Sequence, residues 1–135
     1  MTALVLIILA GMFNALYETL YTFFKYSIFK NLNPLWWNPL QSWKFKWYQP
    51  MQPPEKKWYY FGFYPKYRER FPYSSTILVW TTDAWHLFKA LMLGCIMAGI
   101  VTYNPIINPA IDFFIYYGAF TFTFTIFFDY IFRTK

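Results

Sequence analysis

The sequence predicts an all-α membrane protein in which three transmembrane helices are joined by an aromatic, basic interfacial loop. Of its 135 residues, 58% are hydrophobic and only 13% are charged. Soluble domains carry about 25% charged residues, so this chain lacks the polar surface that a soluble domain needs. Three apolar runs are each long enough to cross a bilayer as a helix, which takes about 20 residues. We therefore expect one membrane domain over residues 1–135.

The first predicted span covers about residues 3–24 and is interrupted only by Asn14 and Glu18. It is longer than the hydrophobic region of a signal peptide, and no basic segment precedes it. We therefore expect a span that is retained rather than cleaved.

The third predicted span covers about residues 110–132. Asn108 and Pro109 before it are typical of an N-cap and a first helical residue. The alternation of Thr and Phe at positions 121–125 also suits a β-strand. One such stretch does not predict a barrel, which needs at least eight alternating segments.

The second predicted span covers about residues 75–103 and is less uniform. Its uncharged part is too short to cross a bilayer alone, so the helix is expected to begin near Ser75. This start places Asp83, His86 and Lys89 in its first half. The candidate N-caps are Ser74, Ser75 and Thr76, and Asn104-Pro105 is the candidate stop.

The loop at residues 30–74 holds eight of the twelve Lys and Arg residues and only two acidic ones. The C-terminus is also basic, whereas the connection at 104–108 carries no charge. The positive-inside tendency therefore predicts a cytoplasmic loop and C-terminus and an outside N-terminus.

The same loop is also rich in aromatic residues, including five of the seven tryptophans. Trp and Tyr prefer the headgroup region, and lysines attract anionic lipids. A short helix is predicted after Asn38-Pro39, ending before Pro50 and lying flat on the membrane. The candidate lipid-interface residues are Trp43, Lys44, Lys46, Trp47, Arg68 and Arg70. Aromatic and basic residues together also suit single-stranded nucleic acid, but topology already explains the charge, so nucleic acid is not the expected partner.

Small residues mark two helix faces that are predicted to pack against other helices. Ala90, Gly94 and Ala98 recur at every fourth position of the second span, and Gly11 and Ala15 do so in the first. Small side chains let two backbones approach closely within a membrane. A homo-oligomer, or other membrane subunits as partners, is the expected outcome.

Glu18, Asp83 and His86 are costly to place in a membrane and are expected to meet in one polar cluster. We consider three roles for it: structural pairing of His86 with a carboxylate, a metal or catalytic site, and a proton or ion path. His86 is also a candidate axial ligand for a haem or chlorin, although no cofactor is strongly implied. The usual enzyme motifs are absent from the sequence.

Two stretches carry a family resemblance. They are Trp-Asn-Pro-x-x-Ser-Trp at positions 37–43 and Thr-Asp-Ala-Trp-His-Leu at 82–87. The chain resembles a group of short, uncharacterised polytopic membrane proteins of Bacteroidetes-type bacteria and their phages. This resemblance implies a bacterial inner-membrane location and topology, and it implies no activity.

These observations favour a small non-enzymatic membrane protein that serves as an accessory or assembly subunit of an oligomer or larger complex, with its loop on the anionic cytoplasmic leaflet. Two alternatives stay open. One is a membrane-embedded, metal-dependent hydrolase that uses Glu18, Asp83 and His86 on a lipid or other membrane-bound substrate. The other is a proton- or ion-conducting oligomer.

Overall fold

The structure, a computed structural model, describes residues 1–47 and 69–134. The α-helices in these ranges are α1 (Thr2–Phe23), α2 (Pro34–Trp37), α3 (Pro39–Ser42), α4 (Ala84–Val101) and α5 (Pro109–Thr125). A π-helix, Ile126–Phe132, extends α5, and single 3-10 turns lie at Phe24–Tyr26, Trp43–Lys46 and Val79–Thr81. Three of the helical segments, including the extended α1 and α5, are long and apolar enough to cross a membrane, so the predicted fold class is confirmed.

Helix α1 is the centre of the bundle because it packs against both α4 and α5. The rings of Phe13 and Phe88 stack with centroids 6.1 Å apart near the start of α4. Gly99, near the end of α4, lies instead beside Ala3 at the start of α1, so the two helices are antiparallel. The rings of Phe23 and Phe128 lie 5.7 Å apart, so the end of α1 lies beside the π-helix that extends α5. Helix α5 and its extension therefore run parallel to α1.

The three spans are buried to very different extents. Within the most apolar window of each span, 39% of the α1 residues are buried inside the protein, against 11% for α4 and 11% for α5. Exposed apolar side chains cover the outer sides of α4 and α5, for example Ile100 and Phe114. Most of the surface of α4 and α5 is therefore available to lipid or to another helix.

The boundaries of the first and third spans agree with the sequence prediction. Asn108 caps α5 by accepting a hydrogen bond from the backbone N–H of Ile111 at 3.0 Å, and Pro109 is the first helical residue. Proline suits this position because its missing N–H would have no partner inside the helix. After α1 the chain turns at buried Ser27, whose hydroxyl donates to the carbonyl of Phe24 at 2.8 Å.

The predicted start of the second span near Ser75 is wrong, because α4 begins at Ala84. Ser75 does not cap a helix: its N–H and its hydroxyl both donate to the carboxylate of Glu69. The hydroxyl of Ser74 donates to the carbonyl of Lys46 at 2.7 Å. Asp83 is the actual N-cap, so it lies at the end of the second span and not inside it.

The predicted interfacial helix begins as expected and is shorter than expected. Asn38 caps α3 by accepting from the N–H of Leu40 at 3.1 Å. The α-helix ends at Ser42 and tightens into the 3-10 turn Trp43–Lys46. The rest of this loop, at 48–68 and including Arg68, lies outside the described residues.

Every Lys and Arg that the described residues contain lies near the same end of the bundle, formed by the end of α1, the start of α4 and the end of the π-helix. The opposite end has the connection between α4 and α5, which contains no Lys or Arg. The positive-inside tendency predicts that the end with the Lys and Arg residues is cytoplasmic, and this orientation stays a prediction.

Candidate functional site

Asp83 and His86 form a hydrogen-bonded pair at the start of α4. The His86 Nδ1 atom lies 2.7 Å from Asp83 Oδ2, and the other carboxylate oxygen accepts from the His86 backbone N–H at 2.9 Å. The Thr82 hydroxyl lies 3.2 Å from the same carboxylate. An ionised carboxylate only accepts hydrogen bonds, so Nδ1 carries a proton and donates it. One fully buried carboxylate thereby caps a helix and orients an imidazole.

The remaining ring nitrogen of His86 is left for other chemistry. Nε2 makes no hydrogen bond with any residue in the described part of the chain, and 18% of the side chain is exposed. A histidine whose Nδ1–H is held by a carboxylate presents Nε2 as an acceptor or a metal ligand. The expected pairing of His86 with a carboxylate is thus present, and Asp83 provides it.

An aromatic side chain connects this pair to α1. The ring of Trp85 lies 3.7 Å from the ring of His86 and contacts Tyr17 and Tyr21 of α1 at 6.0 and 5.9 Å. The Lys89 ammonium lies 5.5 Å from the Tyr17 ring. A cation over an aromatic face is attracted by the ring quadrupole, which helps to hold Lys89 against α1.

Glu18 does not join Asp83 and His86 in the way the sequence suggested. Its carboxylate makes no hydrogen bond or ion pair with any residue at 1–47 or 69–134. Nor do these ranges contain three His, Cys, Asp or Glu side chains placed to hold a metal ion. A metal centre built from Glu18, Asp83 and His86 therefore has no support among these residues.

The small-residue faces of the first and second spans have different environments. A Cβ atom built on Gly11 would lie 2.6 Å from the Phe120 carbonyl oxygen, so this face packs tightly against α5 within the chain. Ala15 is fully buried in the same core. Gly94 is exposed, and a Cβ atom built on it would have no neighbour within 4 Å. Ala90 and Ala98 flank it and are partly buried.

Four of the candidate lipid-interface residues pair with each other inside the loop, and Arg70 pairs with Phe45. Lys44 lies over the ring of Trp43 at 6.0 Å, Lys46 over that of Trp47 at 5.7 Å, and Arg70 over that of Phe45 at 3.6 Å. The Arg70 N–H also donates to the Lys46 carbonyl at 3.0 Å, which joins the two described ends of the loop. Trp43 is 40% exposed, so its indole remains accessible at this end of the bundle.

Glu69 has a structural role that the sequence did not reveal. Glu69 is buried and accepts from the N–H groups of Tyr73 and Ser75 at 2.9 and 3.0 Å, which fixes the turn that contains the positive φ of Tyr73. The only sequence signal was the Pro-Tyr-Ser-Ser run that follows it.

Asp112 holds the connection between α4 and α5. Its fully buried carboxylate accepts from the Tyr103 hydroxyl at 2.9 Å and from the N–H groups of Ile106 and Ile107 at 2.8 and 3.1 Å. Desolvation and the adjacent Asp112 carboxylate raise the pKa of Tyr103, so the phenol stays protonated and donates.

Comparison of the chain with protein-family models, with curated proteins and with solved structures gave no match.

Proposed function

We propose that this chain is a small non-enzymatic integral membrane protein that assembles through α4 into an oligomer or larger membrane complex, and that its aromatic, basic loop lies on the anionic cytoplasmic leaflet. The observation that carries the proposal is the open surface at Gly94. Folding of a single chain uses Gly11 for a close helix contact and leaves Gly94 without one. Helix association in membranes favours small residues, because they allow close backbone contact.

The neighbours of Gly94 suit a helix partner. Ala90 and Ala98 lie one turn before and after it on α4, so the three residues form a shallow stripe along the helix. Leu93 and Met97 stand beside this stripe and are 45% and 60% exposed. A second helix could place its backbone in the stripe and its side chains against these two residues, which gives the van der Waals contact that drives association in lipid.

Paired glycine variants test the assembly. Gly94→Leu fills the stripe, and Gly118→Leu is the control because Gly118 of α5 is equally open in the single chain. The measurement is particle mass in mild detergent. We expect an assembly for the natural chain and for Gly118→Leu, and a monomer for Gly94→Leu. A natural chain that is strictly monomeric and purifies with no partner would refute the proposal.

The predicted orientation is tested by labelling single cysteines in a Cys95→Ser background. Thr2→Cys should react with a membrane-impermeant reagent added outside intact cells. Gln41→Cys, at an exposed residue of α3, and Thr134→Cys should react only after the membrane is opened. Labelling of Gln41→Cys from outside would reverse the topology and remove the loop from the cytoplasmic leaflet.

The competing metal-dependent hydrolase has less support, because residues 1–47 and 69–134 contain no group of three His, Cys, Asp or Glu side chains that could hold a metal ion, and Glu18 makes no bond with Asp83 or His86. Elemental analysis of the purified protein separates the two hypotheses. A stoichiometric divalent metal that is lost in His86→Ala would favour the hydrolase over the assembly subunit.

A further inference from the structure

A cleft of about 290 Å³ lies at the charged end of the bundle, between the end of α1 and the start of α3. The helix α1 and the turn after it form one wall, and the cap and first residues of α3 form the other. The lining includes Leu20, Thr22, Lys25, Tyr26, Asn38 and Leu40, and none of the described residues that line the cleft is acidic.

The lining combines hydrogen-bond donors with apolar surface. The Lys25 ammonium and the Thr22 hydroxyl make no hydrogen bond with any residue in the described ranges. Asn38 uses its side-chain oxygen to cap α3, which leaves its NH₂ group as a donor. Leu40 is 74% exposed and gives the cleft an apolar rim, whereas Leu20 is already fully buried within the protein.

The position of the cleft in the bilayer follows from the membrane location of the chain, on which the proposed function also rests. The 22 residues of α1 extend about 33 Å, slightly more than the hydrocarbon thickness of a bilayer. Lys25 follows directly after this helix and therefore lies at headgroup depth. Leu20 lies more than one helical turn deeper, where the acyl chains begin. An occupant that extends from the depth of Lys25 towards that of Leu20 needs an anionic head and an apolar tail.

We infer that this cleft binds one anionic phospholipid, with its phosphate on the Lys25 ammonium and the start of an acyl chain along Leu40. The positive charge of Lys25 selects an anion, and no described residue of the lining is acidic. The apolar rim selects a lipid over a soluble phosphate, which would leave Leu40 uncovered.

Both walls are held in place by contacts outside the cleft. The Tyr26 carbonyl accepts from the Thr134 N–H at 2.7 Å, which fixes the end of α1 to the C-terminal segment. The ring of Trp37, directly before Asn38, stacks on Phe29 with centroids 5.1 Å apart and planes within 5°. A lipid therefore meets a preformed site, and little ordering is needed when it binds.

The test is native mass spectrometry of the full chain after titration with phosphatidylglycerol or phosphatidylcholine. We expect one tightly bound phosphatidylglycerol per chain and weaker binding of phosphatidylcholine. Lys25→Gln should weaken the phosphatidylglycerol affinity about fivefold, the effect of one lysine near an anionic surface. Lys30→Gln is the control, because this exposed lysine is outside the lining. Leu40→Asn should also weaken binding, whereas Leu35→Asn, at an exposed leucine of α2, should not.

Three outcomes would overturn the inference: equal weakening by Lys25→Gln and Lys30→Gln, equal binding of the two lipids, or displacement of the bound lipid by glycerol 3-phosphate. Lys25→Arg should keep the affinity, and Lys25→Met replaces Lys25→Gln if that variant does not fold. Particle mass and bound lipid per chain appear in the same spectra. A monomer that holds its lipid would refute only the assembly, and an assembly without lipid would refute only the cleft.

Discussion

Gly11→Ala should destabilise the bundle because a methyl group at this position has no space. The built Cβ atom lies 2.6 Å from the Phe120 carbonyl oxygen, about 0.8 Å short of an ordinary contact, and 3.2 Å from the Thr123 Cβ. The oxygen belongs to the α5 backbone, so no side-chain rotation can relieve the contact. Helices α1 and α5 must move apart instead, which gives up packing along their whole interface.

The magnitude is obtained by comparison with Gly118→Ala. In a helix, alanine is favoured over glycine by up to about 1 kcal/mol, and this gain is common to both substitutions. Overpacking in a close-packed interior adds a penalty of about 1–3 kcal/mol. This penalty applies only to Gly11, because a Cβ atom at Gly118 has no neighbour within 4 Å. The difference in unfolding free energy between the two variants should therefore be about 1–3 kcal/mol, with Gly11→Ala the less stable.

The free energies can be measured by titrating protein in mild detergent micelles with sodium dodecyl sulfate and following the helical circular dichroism. Both variants and the natural chain are compared in one detergent, at a protein concentration low enough to keep all three monomeric. Equal stability of Gly11→Ala and Gly118→Ala would refute the close α1–α5 contact. A greater loss in Gly118→Ala would show that α5 presents a different face to α1.

The other predictions concern the polar contacts. Asp83→Asn should retain the helix cap, because asparagine also caps well, while it weakens the bond to His86. The stability losses of Asp83→Asn and His86→Ala should therefore be well below additive in the double variant, and additive losses in thermal melting would show that the pair is uncoupled. Asp112→Ala should destabilise the α4–α5 connection by about 1–3 kcal/mol, since it removes the acceptor of three hydrogen bonds, and amide exchange at Ile106 should accelerate. Asp112→Asn should lower the pKa of Tyr103 towards that of a free phenol, measured by carbon NMR of labelled tyrosine, and an unchanged value would contradict the contact.

The length and apolarity of the spans could be predicted because they depend on the bilayer and not on tertiary contacts. Asn108-Pro109 was equally predictable, since a cap followed by proline is a local signal. The start of the second span could not be predicted, because the chain has competing candidate N-caps at 74–76 and at Asp83. The choice depends on Glu69, which binds Ser75 from six residues earlier and so removes it from the competition.

It was equally hard to predict which side chains form the polar site, and the reason is geometric. Asp83 and His86 are three residues apart, so local helix geometry alone brings them together. Glu18 is on another helix, and its distance from His86 depends on how α1 rotates against α4. The same limit applies to Gly11 and Gly94, since the sequence predicts both as helix-packing residues. Only the assembled bundle shows that Gly11 is covered by α5 and that Gly94 is open.

The contacts of the buried carboxylates decide where a function should be sought. Asp83, Asp112 and Glu69 are all buried, and each accepts at least one backbone N–H at a helix start or in a turn. Their burial is thus explained by folding, since a backbone donor left unpaired there would cost about 1–3 kcal/mol. Folding does not use the surface at Gly94, and Lys25 forms no hydrogen bond or ion pair within the described chain. A helix partner at Gly94 and an anionic lipid at Lys25 would each supply the contact that the single chain lacks, which is why the proposals concern these two positions and not the more conspicuous histidine.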